Sequence, residues 1–233
     1  MRPAATAPLP ALARRWAVLS VGITFLVTGV AASINAGIGV ASWQVFETGL
    51  AAVTGAPLGW VLLVESVAVL LLAWLALGIR PGPATVLLAL AGGPAIDLLT
   101  DLIPHPTGFG PALAMLVVSS TMIGVGIGLY VPAELGPSAQ DSLFVGLYRR
   151  LGIRPGVAKF TTDVVLVVAG WLLGGQVGVG TVVVTVLIPP LIELVMPWGH
   201  RLAGTVGPDV AEGVEGVVGP GTRRTPSRPT RGR

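Results

Sequence analysis

The chain has 233 residues, of which 53% are hydrophobic and only 11% charged. Its mean hydropathy is +0.84. Soluble domains carry about a quarter charged residues, so a soluble globular fold is excluded in favour of a membrane protein. The 14 Lys and Arg outnumber the 11 Asp and Glu, and there is no cysteine, which removes disulfides, thiolate chemistry and cysteine-ligated metals.

Six spans are predicted, near residues 16–37, 58–78, 83–103, 112–132, 160–176 and 180–198. Residues 1–15 form an N-terminal tail. Arg14-Arg15 followed by an apolar run and Ser33-Ile34-Asn35-Ala36 resembles a cleaved signal peptide, but the matching segment 113–133 is internal. The first segment is therefore expected to remain as a span.

After the first span comes a semi-polar stretch, Gly39 to Leu50, too short to cross. It reads as a short re-entrant helix or an amphipathic connector lying on the headgroups. Gln44 would line an approach to a solute. The second span carries Glu65 about two turns in, among Leu62, Leu63, Val64 and Val67. An acid at that depth is costly unless paired or facing a cavity. It is either a proton-carrying carboxyl or a structural one satisfied by Ser42 or Thr48. In the third span Pro94 should bend or break the helix, and Asp97 follows one turn on.

The fourth span begins the same plan again. Shifted by 97 residues, Val21 meets Val118, Thr24 meets Thr121, Gly29 meets Gly126, Gly55 meets Gly152 and Trp74 meets Trp171. A second semi-polar stretch, Gly136 to Leu147, contains Asp141. Asp163 opens the fifth span nearly in register with Glu65. Pro189 and Pro190 precede Glu193 in the sixth span, as Pro94 precedes Asp97. The matched acids are candidates for a proton or cation relay, or are hydrated near the span ends.

Two copies of three spans, 16–108 and 109–202, must be inverted relative to each other, an architecture common among secondary transporters. The fold class is thus an all-α membrane protein of two inverted three-helix repeats. With both termini cytoplasmic, every Lys and Arg falls inside, including Arg80, Arg149, Arg150, Arg154 and Lys159. Residues 203–233 are Pro/Gly-rich and basic and read as a disordered cytoplasmic tail that fixes topology or touches anionic lipid. No aromatic residue interleaves its arginines, so nucleic acid is not an expected partner.

Gly22, Gly29, Gly124, Gly126 and Gly128 lie within apolar spans, with no strand before them, and are read as helix-packing positions rather than a cofactor loop. Two histidines, His105 and His200, cannot build a histidine-rich metal site. No Walker loop, Ser/His/Asp set or HExxH motif occurs, so neither an enzyme nor a cofactor is expected.

The stretches Gly39–Leu50 and Gly136–Leu147, with Gly152-Ile-Arg-Pro-Gly156, Gly170-Trp-Leu-Leu-Gly-Gly175 and Gly178-Val-Gly-Thr181, carry a resemblance to the YczE/YitT-like family of bacterial integral membrane proteins. The likeness covers about residues 16–198. That family leads one to expect a Pro-Trp-Asp type triplet in the polar stretch. Here the first copy has Ser42-Trp43-Gln44 and the second Ala139-Gln140-Asp141, which keeps only the acid. The resemblance implies a bacterial inner-membrane protein without naming a substrate. The expectation is a small transporter for a solute or proton, plausible as a homodimer in the bilayer. The alternative is a non-transporting scaffold whose working surfaces are the basic loop 149–159 and the tail.

Overall fold

A computed structural model describes residues 9–206, which are helical with no strand among them. The helices are α1 (Leu9–Ala36), α2 (Ser42–Thr54), α3 (Leu58–Leu75), α4 (Pro83–Leu87), α5 (Gly93–Leu102), α6 (Phe109–Tyr130), α7 (Asp141–Leu151), α8 (Pro155–Leu172) and α9 (Val179–Ala203). A π-helical turn, Leu88–Gly92, joins α4 to α5, and a 3-10 turn, Val131–Ala133, extends α6.

Five helical segments are long and apolar enough to cross a membrane: Leu9–Ala36, Pro83–Leu102, Phe109–Ala133, Pro155–Leu172 and Val179–Ala203. Trp60–Leu75 is equally apolar but shorter. Its side chains Trp60, Leu63, Val64, Val67, Leu71, Leu72 and Leu75 are exposed. An apolar face of that extent has no place in water.

Residues 9–15, expected as tail, instead form the first two turns of α1, and 155–159, expected as loop, open α8. Pro155 at the start of α8 explains the latter, because its fixed φ and missing donor suit a first turn. The expected tail segments 1–8 and 207–233 lie outside the described residues.

Proline acts differently in the two copies. At Pro94 the regular ladder gives way to the π turn just before it, as expected where a donor is lost and the ring crowds the preceding turn. No residue of that turn or of α5 is buried. By contrast, α9 runs unbroken through Pro189, Pro190 and Pro197, which corrects the break expected there. It is wedged between α6 and α8, and Leu191 and Val195 sit directly against Gly124 and Gly128. Close packing along its length holds the helix through the missing hydrogen bonds.

The most extensive contact joins α1 to α6. Gly22 faces Gly126 and Tyr130, while Gly29 faces Ser119 and Ile123, so the two helices run antiparallel. A Cβ on Gly126 would lie 2.6 Å from the Leu26 nitrogen. Glycine is therefore what permits this approach. Under the 97-residue shift Gly29 corresponds to Gly126 and Ser119 to Gly22, so the crossing is matched end for end.

A second feature occurs twice. The Ala84 N–H donates to the Leu135 carbonyl at 2.9 Å, and the Gly180 N–H donates to the Ile38 carbonyl at 2.9 Å. Thr85 Oγ1 donates to the Pro137 carbonyl at 2.7 Å and accepts from the Gly82 N–H at 3.1 Å. Thr181 Oγ1 donates to the Val40 carbonyl at 2.8 Å and accepts from the Gly178 N–H at 3.2 Å. Each joint ties the start of one copy's third helical segment to the strap after the other copy's first helix.

The two short helices also make contacts far along the chain: α2 packs on α8, and α7 packs on α3. Both are sunk in the interior, with Val45 and Val145 fully buried and Phe144 nearly so. Each ends at a glycine with φ near +65°, Gly55 and Gly152, a conformation that a Cβ would strain. The repeated glycines of the sequence are these stops.

Candidate functional site

The starts of α2 and α7 and the first turns of α8 bring together several of the buried polar side chains. At the start of α2, Gln44 Oε1 accepts from the Ala41 N–H at 3.1 Å, capping the helix. Next to it, Ser42 Oγ donates to Asp163 Oδ1 at 2.8 Å. Lys159 Nζ reaches the same oxygen at 2.7 Å from one turn earlier on α8. Both members of this ion pair are buried, and the ammonium also lies 5.9 Å from the centre of the Phe144 ring. A buried pair of this kind holds only if its lone pairs and protons find partners, which Ser42 and the ring supply.

At the start of α7, Asp141 Oδ2 accepts from Ser138 Oγ at 2.9 Å and from the Tyr130 hydroxyl through a short hydrogen bond. The Asp141 N–H donates to Ser138 Oγ at 3.0 Å, and the Ser138 N–H donates to the Tyr130 hydroxyl at 3.2 Å. An acid in the first turn also faces the positive end of the helix dipole. Asp141 therefore has its charge spread over defined donors.

Two further carboxyl groups are not so provided for. Glu47, on α2, accepts one hydrogen bond, from Gln140 Nε2 at 2.9 Å. Glu65, on α3, is 5% exposed, and neither of its carboxyl oxygens has a partner. Its structural alternative fails, because Ser42 is bonded to Asp163 and Thr48 donates to the Gln44 carbonyl at 2.7 Å. Glu47 lies two turns before the end of α2 and Glu65 two turns after the start of α3, the next helix along the chain, and the two helices are in contact. A buried ion without a partner costs several kcal/mol even after relaxation.

The remaining predicted residues lie apart from this network. Gln44 is spent on its cap and borders a cavity of about 330 Å³ with Gly39, Gln176 and Gly178. Asp97 is exposed on α5 and makes no hydrogen bond or ion pair. Glu193 forms an ion pair with Arg154 and borders an open cavity of about 930 Å³. The expected symmetric relay of Asp97 with Glu193 thus has two ends in unlike surroundings.

Sequence reasoning passed over Glu47, Gln140, Tyr130 and Lys159. Lys159 was read as a loop cation that marks the inner face, but it is buried and paired. The signal was present, since Lys159 and Asp163 are four apart and so face each other on a helix. Gln140 adjoins the acid of the second polar stretch. Glu47 had no periodic signal, because what singles it out is its neighbour on another helix. Among the described residues, no group of three or more His, Cys, Asp or Glu could hold a metal ion.

Long apolar helices around a buried, charged interior define an integral membrane protein. Residues 13–197 match the model of a family of unknown function, DUF6198, and the chain belongs to that family. It is 27% identical over 190 residues to an uncharacterized protein of Haemophilus influenzae, covering 82% of this chain and 87% of the relative. It is 24% identical over 195 residues to the uncharacterized membrane protein YczE of Bacillus subtilis, covering 82% and 89%. The resemblance read from the doubled pattern is therefore met. No solved structure matches the chain.

Proposed function

We propose that this protein is a small secondary transporter of the bacterial plasma membrane, working by alternating access about the interior network of α2, α3, α7 and α8. The observation that carries the reading is Glu65, a buried, unpartnered carboxyl inside an apolar helix. Intramembrane ionisable groups face pathways or partners, and this one has no partner.

The transport architecture is six spans in two inverted halves, 16–108 and 109–202. With α3 counted as a span, its 18 residues reach about 27 Å, close to the hydrocarbon thickness. The antiparallel crossing of α1 on α6 and the twofold occurrence of the threonine joints support the inversion. The distribution of Lys and Arg supports cytoplasmic termini. The short helices α2 and α7 are the discontinuous elements that place helix ends near the midplane. The bacterial relatives support the location. A homodimer would let two small units share a bilayer footprint.

The test is a thermal-stability screen of purified protein against ions and small metabolites, followed by uptake of any hit into proteoliposomes. A ligand at 100 times its Kd adds about 2.7 kcal/mol to the folded state. Saturable uptake that Glu65→Gln abolishes, in a protein that still folds, supports transport. Binding and uptake both absent across a broad library would shift the reading to a membrane scaffold.

A further inference from the structure

The interior has a charge imbalance with a definite location. Among the described residues, four acids are buried, Glu47, Glu65, Asp141 and Asp163, against one buried cation, Lys159. Lys159 is committed to Asp163. Asp141 has Tyr130 and Ser138 as donors. Subtracting these satisfied groups leaves the deficit at Glu47 and Glu65, which come from adjacent helices and hold a single hydrogen bond between them. Gln140, at the start of α7, is the group bonded to this pair, through Glu47. Trp43 Nε1 is also buried and without a partner.

Two carboxylates in a low-dielectric interior cannot both remain charged side by side without a counter-charge. Gln140 gives its amide N–H to Glu47 Oε1, and that leaves its carbonyl oxygen as a neutral acceptor. Oxygen atoms from two acids and one amide are donors of the kind that a hard cation takes.

We propose that Glu47 and Glu65 form a binding site for one monovalent cation, a proton or an alkali-metal ion, with Gln140 as its neutral member. Bound between the two acids, the cation cancels part of the interior charge and couples α2 to α3. That this site energises movement of a solute rests on the transporter reading; cation binding itself does not. Each copy's short helix takes part, since Glu47 lies on α2 and Gln140 caps α7, so occupancy acts on the contact between copies.

The experiment uses the full-length protein in lipid nanodiscs. One arm follows the thermal midpoint as sodium chloride replaces choline chloride at constant ionic strength, with lithium and potassium as comparisons. The other arm records the infrared band of a protonated carboxylic acid at neutral pH. An alkali-ion site gives a saturable rise in midpoint that is lost in Glu65→Gln. A proton site gives no salt-specific rise but a carboxylic-acid band that is missing in Glu65→Gln. Glu47→Gln serves as the second variant should Glu65→Gln fail to fold, and the same losses are expected. Wild-type protein showing neither the rise nor the band overturns the proposal, as does either signal surviving in both variants. Uptake that proceeds without any cation dependence would remove the coupling of this site to transport and leave the transporter standing. Cation binding without uptake would do the reverse.

Discussion

Thr85 and Thr181 do the same work at two separate joints. Each hydroxyl donates to a carbonyl in the other copy's strap, Pro137 at 2.7 Å and Val40 at 2.8 Å. Each accepts an N–H three residues back in its own segment, at 3.1 and 3.2 Å. Both side chains are buried, where backbone carbonyls of irregular straps would otherwise lack partners. Thr85→Val and Thr181→Val should each lower stability by about 1–3 kcal/mol, the cost of leaving buried groups unsatisfied. Serine at either position should recover most of it. Thermal unfolding in detergent reads both effects, and the two positions should respond alike.

Lys159 and Asp163 give a sharper test of the interior. Lys159→Met leaves Asp163 with Ser42 alone and should cost about 3–5 kcal/mol, the penalty of an orphaned buried charge. Lys159→Met combined with Asp163→Leu should recover much of that loss, because an apolar pair removes both charges together. A double-mutant cycle on the thermal midpoint checks the coupling.

Helix crossings make a third prediction. Gly126→Leu forces a side chain into the backbone of α1 at Leu26 and Gly22, and overpacking of this sort costs about 1–3 kcal/mol or more. Gly110→Ala, on the same helix but with open space around it, should be neutral. The folded yield of the two variants separates packing glycines from incidental ones.

Topology can be read without background, since the chain has no cysteine. Single cysteines at Thr54, Thr107 and Gln176 should react with an impermeant maleimide on intact cells. Cysteines at Arg80 and Arg150 should react only after permeabilisation. The reverse pattern would turn the protein over, and a mixed pattern would reject six spans.

The sequence by itself determined that the protein is helical and membrane-bound. It also showed the same punctuation recurring 97 residues on, but it ended the short helices at Leu50 and Leu147, one turn before Thr54 and Leu151 where they stop. These are local or periodic properties: long apolar runs and matching punctuation 97 residues apart. Tertiary structure alone decided the partners. Glu65 shows its depth in the sequence, but that Ser42 and Thr48 are taken elsewhere, and that Glu47 stands beside it, depends on how α2 meets α3, α7 and α8. Lys159 looked like a topology marker because its charge is visible in sequence while its burial is not. Pro94 and Pro190 look equivalent in the repeat, yet one lies beside a π turn on an exposed segment and the other sits inside a straight-running helix clamped by α6 and α8. Burial and pairing are properties of neighbours brought from far along the chain, and no spacing within one segment encodes them.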